Sequence, residues 1–168
     1  PVLLKESVGG LEIKSDGIYV DVTYGGGGHA AEILKKIKSG RLIAFDRDKE
    51  AIENKMNNER LTLVKENFTE MKSWLLENGL DKIDGLIADL GISSHQIDKA
   101  ERGFSIRHNS ELDMRMDNAI GFTAKDVEVA ATSSLIEKTA GAGIKPGTSK
   151  KYDRMLYVCL TKLNAYIC

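Results

Sequence analysis

Short apolar runs alternate with stretches in which apolar residues recur at helical spacing along most of the chain. Four runs rich in branched side chains are predicted to be buried strands: Gly17–Val22, Arg41–Asp46, Leu61–Lys65 and Ile83–Asp89. The stretches between them are predicted to be amphipathic helices: His29–Ser39, Lys49–Asn58 and Met71–Asn78. Strands that alternate with helices are typical of a parallel sheet, so the pattern predicts an α/β fold.

The ends of these elements carry signals of their own. Gly40 and Gly79 follow the first and third predicted helices, where a glycine commonly ends a helix. Asp48 precedes the second helix and is expected to cap its N-terminus. Leu90–Asn109, after the fourth strand, is predicted to be a long polar loop.

Four consecutive glycines, Gly25–Gly28, stand where the first strand passes into a helix. Glycine suits a backbone that turns sharply or lies close to a ligand, but it also suits a purely structural turn. Asp21, four residues earlier, favours S-adenosylmethionine, whose ammonium group an acid can hold. An NAD-dependent oxidoreductase would offer this helix N-terminus to a pyrophosphate, where an acid is unfavourable. No lysine of a nucleoside triphosphate site follows the glycines.

Polar and aromatic residues follow the later strands, at the edge where doubly wound folds bind ligands. Asp46 is placed to accept both ribose hydroxyls, or it is a solvated loop acid. Phe68 could stack on the adenine or pack in the core. Asp89 could hold the hydrogens of an exocyclic amine during methylation, or it could contact the cofactor.

Two segments combine charged residues with methionine or an aromatic residue. Glu101–Ser105 contains a phenylalanine and lies within the predicted loop, and Glu111–Asp117 contains two methionines and lies just after it. This composition suits a pocket for a flipped base and its phosphates, or an ion-paired surface loop. The histidines have no metal-ligand spacing, so no metal is predicted: His29, His95 and His108.

Composition predicts one soluble, cytoplasmic domain without membrane contact. Apolar residues make up 42% of the chain and charged residues 29%, and no apolar run approaches the roughly 20 residues of a membrane-spanning helix. The cysteines Cys159 and Cys168 have no metal spacing and are interpreted as reduced thiols, with a disulfide bond between them as the alternative. A net charge of −1 argues against bulk electrostatic binding of nucleic acid, although four basic residues concentrate positive charge locally: Lys99, Arg102, Arg107 and Arg115.

Six motifs in succession resemble those of the RsmH (MraW) family, which methylates N4 of a cytidine in bacterial 16S ribosomal RNA. They are Pro1–Glu6, Tyr19–His29, Ala44–Asp48, Asp84–Ser94, Ala100–Ser105 and Leu112–Asp117. The resemblance implies a Rossmann-like class I methyltransferase fold, S-adenosyl-L-methionine as cofactor, and 16S ribosomal RNA in the small ribosomal subunit as partner.

The resemblance also assigns residues. It implies cofactor binding by Gly27, Gly28, His29, Asp46, Phe68, Asp89 and Gln96. Asp113 and Arg115 match the most distinctive motif of the family, so with Asp89 they are the candidate catalytic and substrate-site residues.

The chain departs from the family after Gly121–Val127, where longer members carry a helical substrate-recognition insert and a later motif. We expect a cofactor-binding core in residues 1–127 and a reduced insert with a C-terminal helix in residues 128–168. Within the latter, 127–139 is predicted to be a helix, Ala140–Ser149 a linker and Lys151–Ile167 a helix. The sheet would then lack its last strands. A non-catalytic remnant that binds cofactor or RNA is the alternative.

Overall fold

The computed structural model describes residues 3–119 and 121–130. Its helices are α1 (Leu4–Gly10), α2 (Gly28–Lys36), α3 (Lys49–Glu53), α4 (Met71–Glu77) and α5 (Ser94–Asp98), with 3-10 turns at Phe68–Glu70 and Ala100–Arg102. Its strands are β1 (Ile18–Asp21), β2 (Arg41–Asp46), β3 (Leu61–Lys65) and β4 (Gly85–Ile87). The chain divides into two compact units, the first ending at His95 and the second beginning at Gln96.

The four strands form one parallel sheet in the order β3-β2-β1-β4. Val20 of β1 lies in register with Ile43 of β2 and with Leu86 of β4. Because the strands are parallel, their carboxyl ends lie along one edge of the sheet. The predicted α/β, Rossmann-like fold is confirmed, and β2 and β3 have the predicted bounds.

Side chains alternate between the two faces of the sheet and build two apolar clusters, as expected for strands covered on both sides. Leu42 and Ala44 of β2 join the cluster that contains α1 and α2. Ile43 and Phe45 join the other cluster, where the ring of Phe45 meets Trp74 of α4 edge-on at 5.8 Å between centroids. The helices of the first unit therefore cover both faces.

Gly40 does not end α2, because that helix stops at Lys36. A Cβ on Gly40 would lie 2.2 Å from the carbonyl oxygen of Gly17, so close approach of two backbones explains this glycine. Gly79 does follow α4 with a φ of +70°, as predicted. Asp48 caps α3 as predicted, because its side chain accepts from the N–H of Glu50.

The prediction of a long loop at Leu90–Asn109 was wrong, since α5 and a 3-10 turn lie within it. The spacing of apolar residues did not indicate these helical turns, because the buried side chains there are polar, namely Gln96 and Arg102. The second predicted helix also ends early, at Glu53. The N–H of Met56 bonds to a tyrosine hydroxyl instead of continuing the helix.

In the second unit, residues 124–130 are helical. Thr123 and Asp126 form a reciprocal cap: the hydroxyl of Thr123 accepts from the N–H of Asp126, and the carboxylate of Asp126 accepts from the N–H of Thr123. The remainder of the helix predicted at 127–139 lies outside the described residues, as do the predicted linker and final helix. No helix in the described ranges combines the length and the apolar character needed to cross a membrane.

Candidate functional site

The glycine loop needs glycine most clearly at Gly27, which immediately precedes α2. Its φ of +73° is a left-handed conformation, and a Cβ there would lie 2.9 Å from the hydroxyl of Tyr24. Gly25 is also left-handed, with a φ of +50°. Gly26 has neither constraint. The loop therefore lies tightly against its own support, with its backbone N–H groups at the start of α2.

Tyr24 is that support, and the sequence analysis did not identify it. Its N–H donates to the carbonyl of Phe45 at 3.0 Å, and its hydroxyl accepts from the N–H of Met56 at 3.0 Å. Its own carbonyl accepts from the N–H of Gly27 at 2.7 Å. Tyr24 thus joins the loop to β2 and to the segment after α3. The signal available in the sequence was an aromatic residue directly before the glycines.

Asp21, at the end of β1, is fully buried. Its Oδ1 accepts from the N–H of Thr23 at 3.0 Å, whereas its Oδ2 has no hydrogen-bond partner among the described residues. Burial raises the pKa of this carboxyl to about 6, and the charges of Asp46 and Asp89 act in the same direction against the hydrogen bonds of Thr23. A buried carboxylate oxygen without a donor is suited to a donor that arrives with a ligand.

Asp46, the predicted ribose acid, also braces the glycine loop. Its Oδ2 accepts from the N–H of Gly25 at 2.7 Å, and its Oδ1 accepts from the N–H of Asp48 at 2.9 Å. Burial raises the pKa of Asp46, while these backbone hydrogen bonds lower it. Each carboxylate oxygen can accept more than one hydrogen bond, so both can still accept from hydroxyl groups.

The side chains of His29 and Asp89 lie close to each other near the glycine loop. His29, in the first turn of α2, is 4% exposed, and its Nε2 has no partner among the described residues. Its Nδ1 lies 3.9 Å from Oδ2 of Asp89, whose side chain is 39% exposed. The N–H of Asp89 donates to the hydroxyl of Thr23 at 2.8 Å. Thr23, also missed in the sequence, therefore connects Asp21 to the segment that carries Asp89.

The remaining predicted cofactor residues are distributed over three elements. Gly28 is the first residue of α2. Phe68 opens the 3-10 turn after β3, is 36% exposed, and belongs to neither apolar cluster of the described residues. Its exposure disfavours the alternative of core packing. Gln96 is buried in α5 and belongs to the second unit.

The predicted substrate-site residues Asp113 and Arg115 form a bidentate ion pair in the second unit. Nε of Arg115 donates to Oδ1 of Asp113 at 2.8 Å, and Nη2 donates to Oδ2 at 2.7 Å. The pKa of Asp113 is lowered, chiefly by these side-chain hydrogen bonds. Met114 between them has a left-handed φ of +57°. This pairing is the one expected of the ion-paired alternative.

Arg102 is buried rather than available to solvent. Its Nη2 donates to the carbonyls of Arg115 and Met116 at 3.0 and 3.1 Å. Arg102 therefore holds the backbone of the segment that carries the ion pair, and it does not contribute to a basic surface as its position in sequence suggested. Within the ranges that the structure describes, no group of three or more His, Cys, Asp or Glu residues could hold a metal ion.

Comparison with known proteins places the chain in a family. The sequence model of the MraW methylase family matches residues 1–138. A protein of Cytophaga hutchinsonii named ribosomal RNA small subunit methyltransferase H is 60% identical over 129 residues, a match that covers 76% of this chain and 43% of that protein. Proteins of the same name from Christiangramia forsetii and Bacteroides thetaiotaomicron are 56% and 48% identical over 128 residues, which cover 76% of this chain and 42% of each of them. The chain thus spans less than half the length of these relatives, and it belongs to the MraW methylase family.

Proposed function

We propose that this chain provides the S-adenosylmethionine-binding part of a methyltransferase that acts on the N4 amine of a cytidine in 16S ribosomal RNA of the small subunit. The observation that carries the proposal is the buried Oδ2 of Asp21, which has no hydrogen-bond partner among the described residues and lies at the end of the strand that leads into the glycine loop and the start of α2. The relatives named ribosomal RNA small subunit methyltransferase H support the class of substrate.

The residues present fit this cofactor. The ammonium of its amino-acid part would neutralise the buried carboxylate of Asp21, and the N–H of Gly28, the first residue of α2, would donate to its carboxylate. Asp46 would accept the ribose hydroxyls, and the exposed ring of Phe68 would stack on the adenine. When bound, the cofactor supplies an electrophilic methyl group on a sulfonium.

Asp89 is the proposed acceptor for the substrate amine. Methylation of an exocyclic amine requires that an N–H proton leave, and the half-exposed carboxylate of Asp89 stands at the ligand-binding edge of the sheet. His29 lies close enough to influence its orientation. We assign RNA contacts to the segment of Asp113 and Arg115. Because the proposed substrate is ribosomal RNA, we place the protein in the cytoplasm. We further propose that residues 1–127 form the cofactor-binding core and 128–168 a reduced insert.

A non-catalytic protein that retains only cofactor or RNA binding is the second candidate. It is favoured by the Asp113–Arg115 ion pair, in which the two candidate substrate-site residues bind each other. An NAD-dependent oxidoreductase fits poorly, because a buried acid beside the loop would repel a pyrophosphate.

Methyl transfer decides between the first two candidates. The full chain is incubated with radiolabelled S-adenosylmethionine and small-subunit RNA, free or assembled, and label in N4-methylcytidine is counted. We expect transfer that falls at least about 100-fold in Asp89→Asn, because the amide cannot take the amine proton. Asp81→Asn, an exposed control, should keep full activity. Cofactor binding without any transfer would reject the enzyme and leave the non-catalytic protein.

A further inference from the structure

A groove in the first unit lies outside the proposed cofactor site. It has a volume of about 640 Å³ and runs between the last turns of α2 and the turn that joins α3 to β3. Three cations line it, Lys35, Lys38 and Arg60, together with the amides of Asn57 and Asn58. No carboxylate is among its lining residues. In a chain whose net charge is −1, this is a local concentration of positive charge.

Among the described residues, two of these cations are not neutralised by an acidic side chain. Within the described part of the chain, neither Lys38 nor Arg60 has an acidic ion-pair partner, whereas Lys35 contacts the carboxylate of Glu32. Lys38 is exposed and Arg60 is half-buried. The side chain of Lys35 is nevertheless 68% exposed, so an anion can reach it from solvent. An anion in the groove would therefore meet uncompensated positive charge.

The walls of the groove are held by hydrogen bonds, one between backbone groups and two between a side chain and the backbone. The N–H of Lys38 donates to the carbonyl of Ser15 at 2.6 Å, and the guanidinium of Arg60 donates to the carbonyl of Ile37. The side chain of Asn58 accepts from the N–H of Arg60 at 2.9 Å. These contacts fix both sides before any ligand arrives, which limits the entropy lost on binding.

The floor of the groove is apolar, and one of its residues lies beside the glycine loop. Leu34 and Ile37, both nearly fully buried, line it with Met56. The methyl group of Met56 lies 3.1 Å from the position that a Cβ on Gly27 would take. An apolar floor, a cationic rim and side-chain amides match three features of a nucleotide in a single strand: the face of the base, the phosphate and the polar edge of the base.

We propose that this groove binds a single-stranded segment of the substrate RNA, with phosphates at Lys35, Lys38 and Arg60 and a base against the Met56 floor. The inference rests on the proposed function, because it extends the RNA contact to a second place on the cofactor-binding unit. An acidic peptide would use the cations but leave the apolar floor unexplained. Met56 lies beside Gly27, whereas Lys38 and Arg60 lie near the amino ends of β1 and β3, so the RNA strand would run from the glycine loop toward the opposite edge of the sheet.

The test compares two double variants that remove equal charge. Lys35→Gln with Lys38→Gln alters the groove, while Lys72→Gln with Lys82→Gln removes two exposed lysines that do not line it. Fluorescence anisotropy of a short labelled single-stranded cytidine- and uridine-rich RNA is measured with the full chain over a series of salt concentrations. We expect the groove variant to bind about tenfold more weakly at low salt and to reduce the salt slope by about 1.4, twice the value for one single-strand phosphate contact.

Each outcome decides a claim. The control variant should bind like the unmodified chain, and cytidine monophosphate should compete only at far higher concentration than the strand. Equal weakening in both variants, or a mononucleotide that binds as tightly as the strand, overturns the groove and leaves the proposed function standing. If the unmodified chain binds no RNA, the groove is overturned. A calorimetric titration with S-adenosylmethionine on the same sample then shows whether the cofactor part of the proposed function survives.

Discussion

The carboxyl of Asp21 shows how a single residue links stability to ligand binding. Burial raises its pKa to about 6, so in the free protein the ionised form is held in an unfavourable environment at neutral pH. A raised carboxyl pKa means that the folded state binds the proton more tightly than the unfolded state. The contribution of Asp21 to the free energy of unfolding should therefore fall as the pH rises from about 4 to above 6.

Asp21→Asn removes this buried charge and keeps an oxygen for the N–H of Thr23. Above about pH 7 we expect the free energy of unfolding to rise by about 1–3 kcal/mol, since a raised pKa costs about 1.4 kcal/mol per unit. Below about pH 3 the gain should vanish, because Asp21 is then largely neutral in both states. Urea denaturation across pH measures it, with the exposed Asp81→Asn as the control. A loss of stability at neutral pH would contradict the assignment of a buried carboxylate without a donor.

Gly27 and Gly26 provide a matched pair for the loop conformation. Gly27→Ala forces a side chain into a left-handed residue and against the hydroxyl of Tyr24, so we expect a loss of about 1–3 kcal/mol and weaker cofactor binding. Gly26→Ala meets no atom within 4 Å and should change the free energy of unfolding by less than about 0.5 kcal/mol. Thermal unfolding without cofactor measures the change in stability, and the shift on adding cofactor measures the change in binding. Equal behaviour of the two variants would rule out a strained, closely packed loop.

At the scale of elements, the sequence predicted what depends on local pattern. Strands β2 and β3 have the predicted bounds because their apolar residues alternate or run together where the sheet is buried. Helix α5 was missed because Gln96 is the buried residue on it, and a buried polar side chain leaves no apolar period. Just after the early end of α3, the N–H of Met56 bonds to the hydroxyl of Tyr24, a residue 32 positions earlier in the sequence. Long-range contacts of this kind are not visible in local spacing.

The segment 111–117 depends in the same way on Arg102. Arg102→Gln loses the hydrogen bonds to the carbonyls of Arg115 and Met116, so two partly buried acceptors lose a charged donor. We expect amide exchange of residues 112–116 to accelerate by about tenfold or more, the equivalent of 1–3 kcal/mol for an unsatisfied polar group. Mass spectrometry after deuterium labelling measures this, with the exposed Arg107→Gln as the control. Unchanged exchange would show that the segment is held by its Asp113–Arg115 pair instead.

At the scale of the molecule, the described sheet ends at β4, and three apolar side chains near this edge are exposed: Leu86, Leu90 and Ile92. The matched relatives are more than twice as long as the matched segment, since it covers 43% of the protein from Cytophaga hutchinsonii. The sequence predicted the glycine loop, its acids and their common edge of the sheet. It did not predict that Asp46 braces Gly25, because that bond joins two strand ends distant in sequence.

The central claim is that the edge of the sheet around Asp21, Asp46 and the glycine loop binds S-adenosylmethionine. Isothermal titration calorimetry of this cofactor into the full chain tests it most directly, with NAD as the comparison ligand and Asp81→Ala as the control variant. We predict a single site with a dissociation constant on the order of micromolar, no measurable NAD binding, and loss of the signal in Asp46→Ala. An Asp46→Ala variant that binds the cofactor as tightly as the unmodified chain, or an unmodified chain that binds none, would contradict the account.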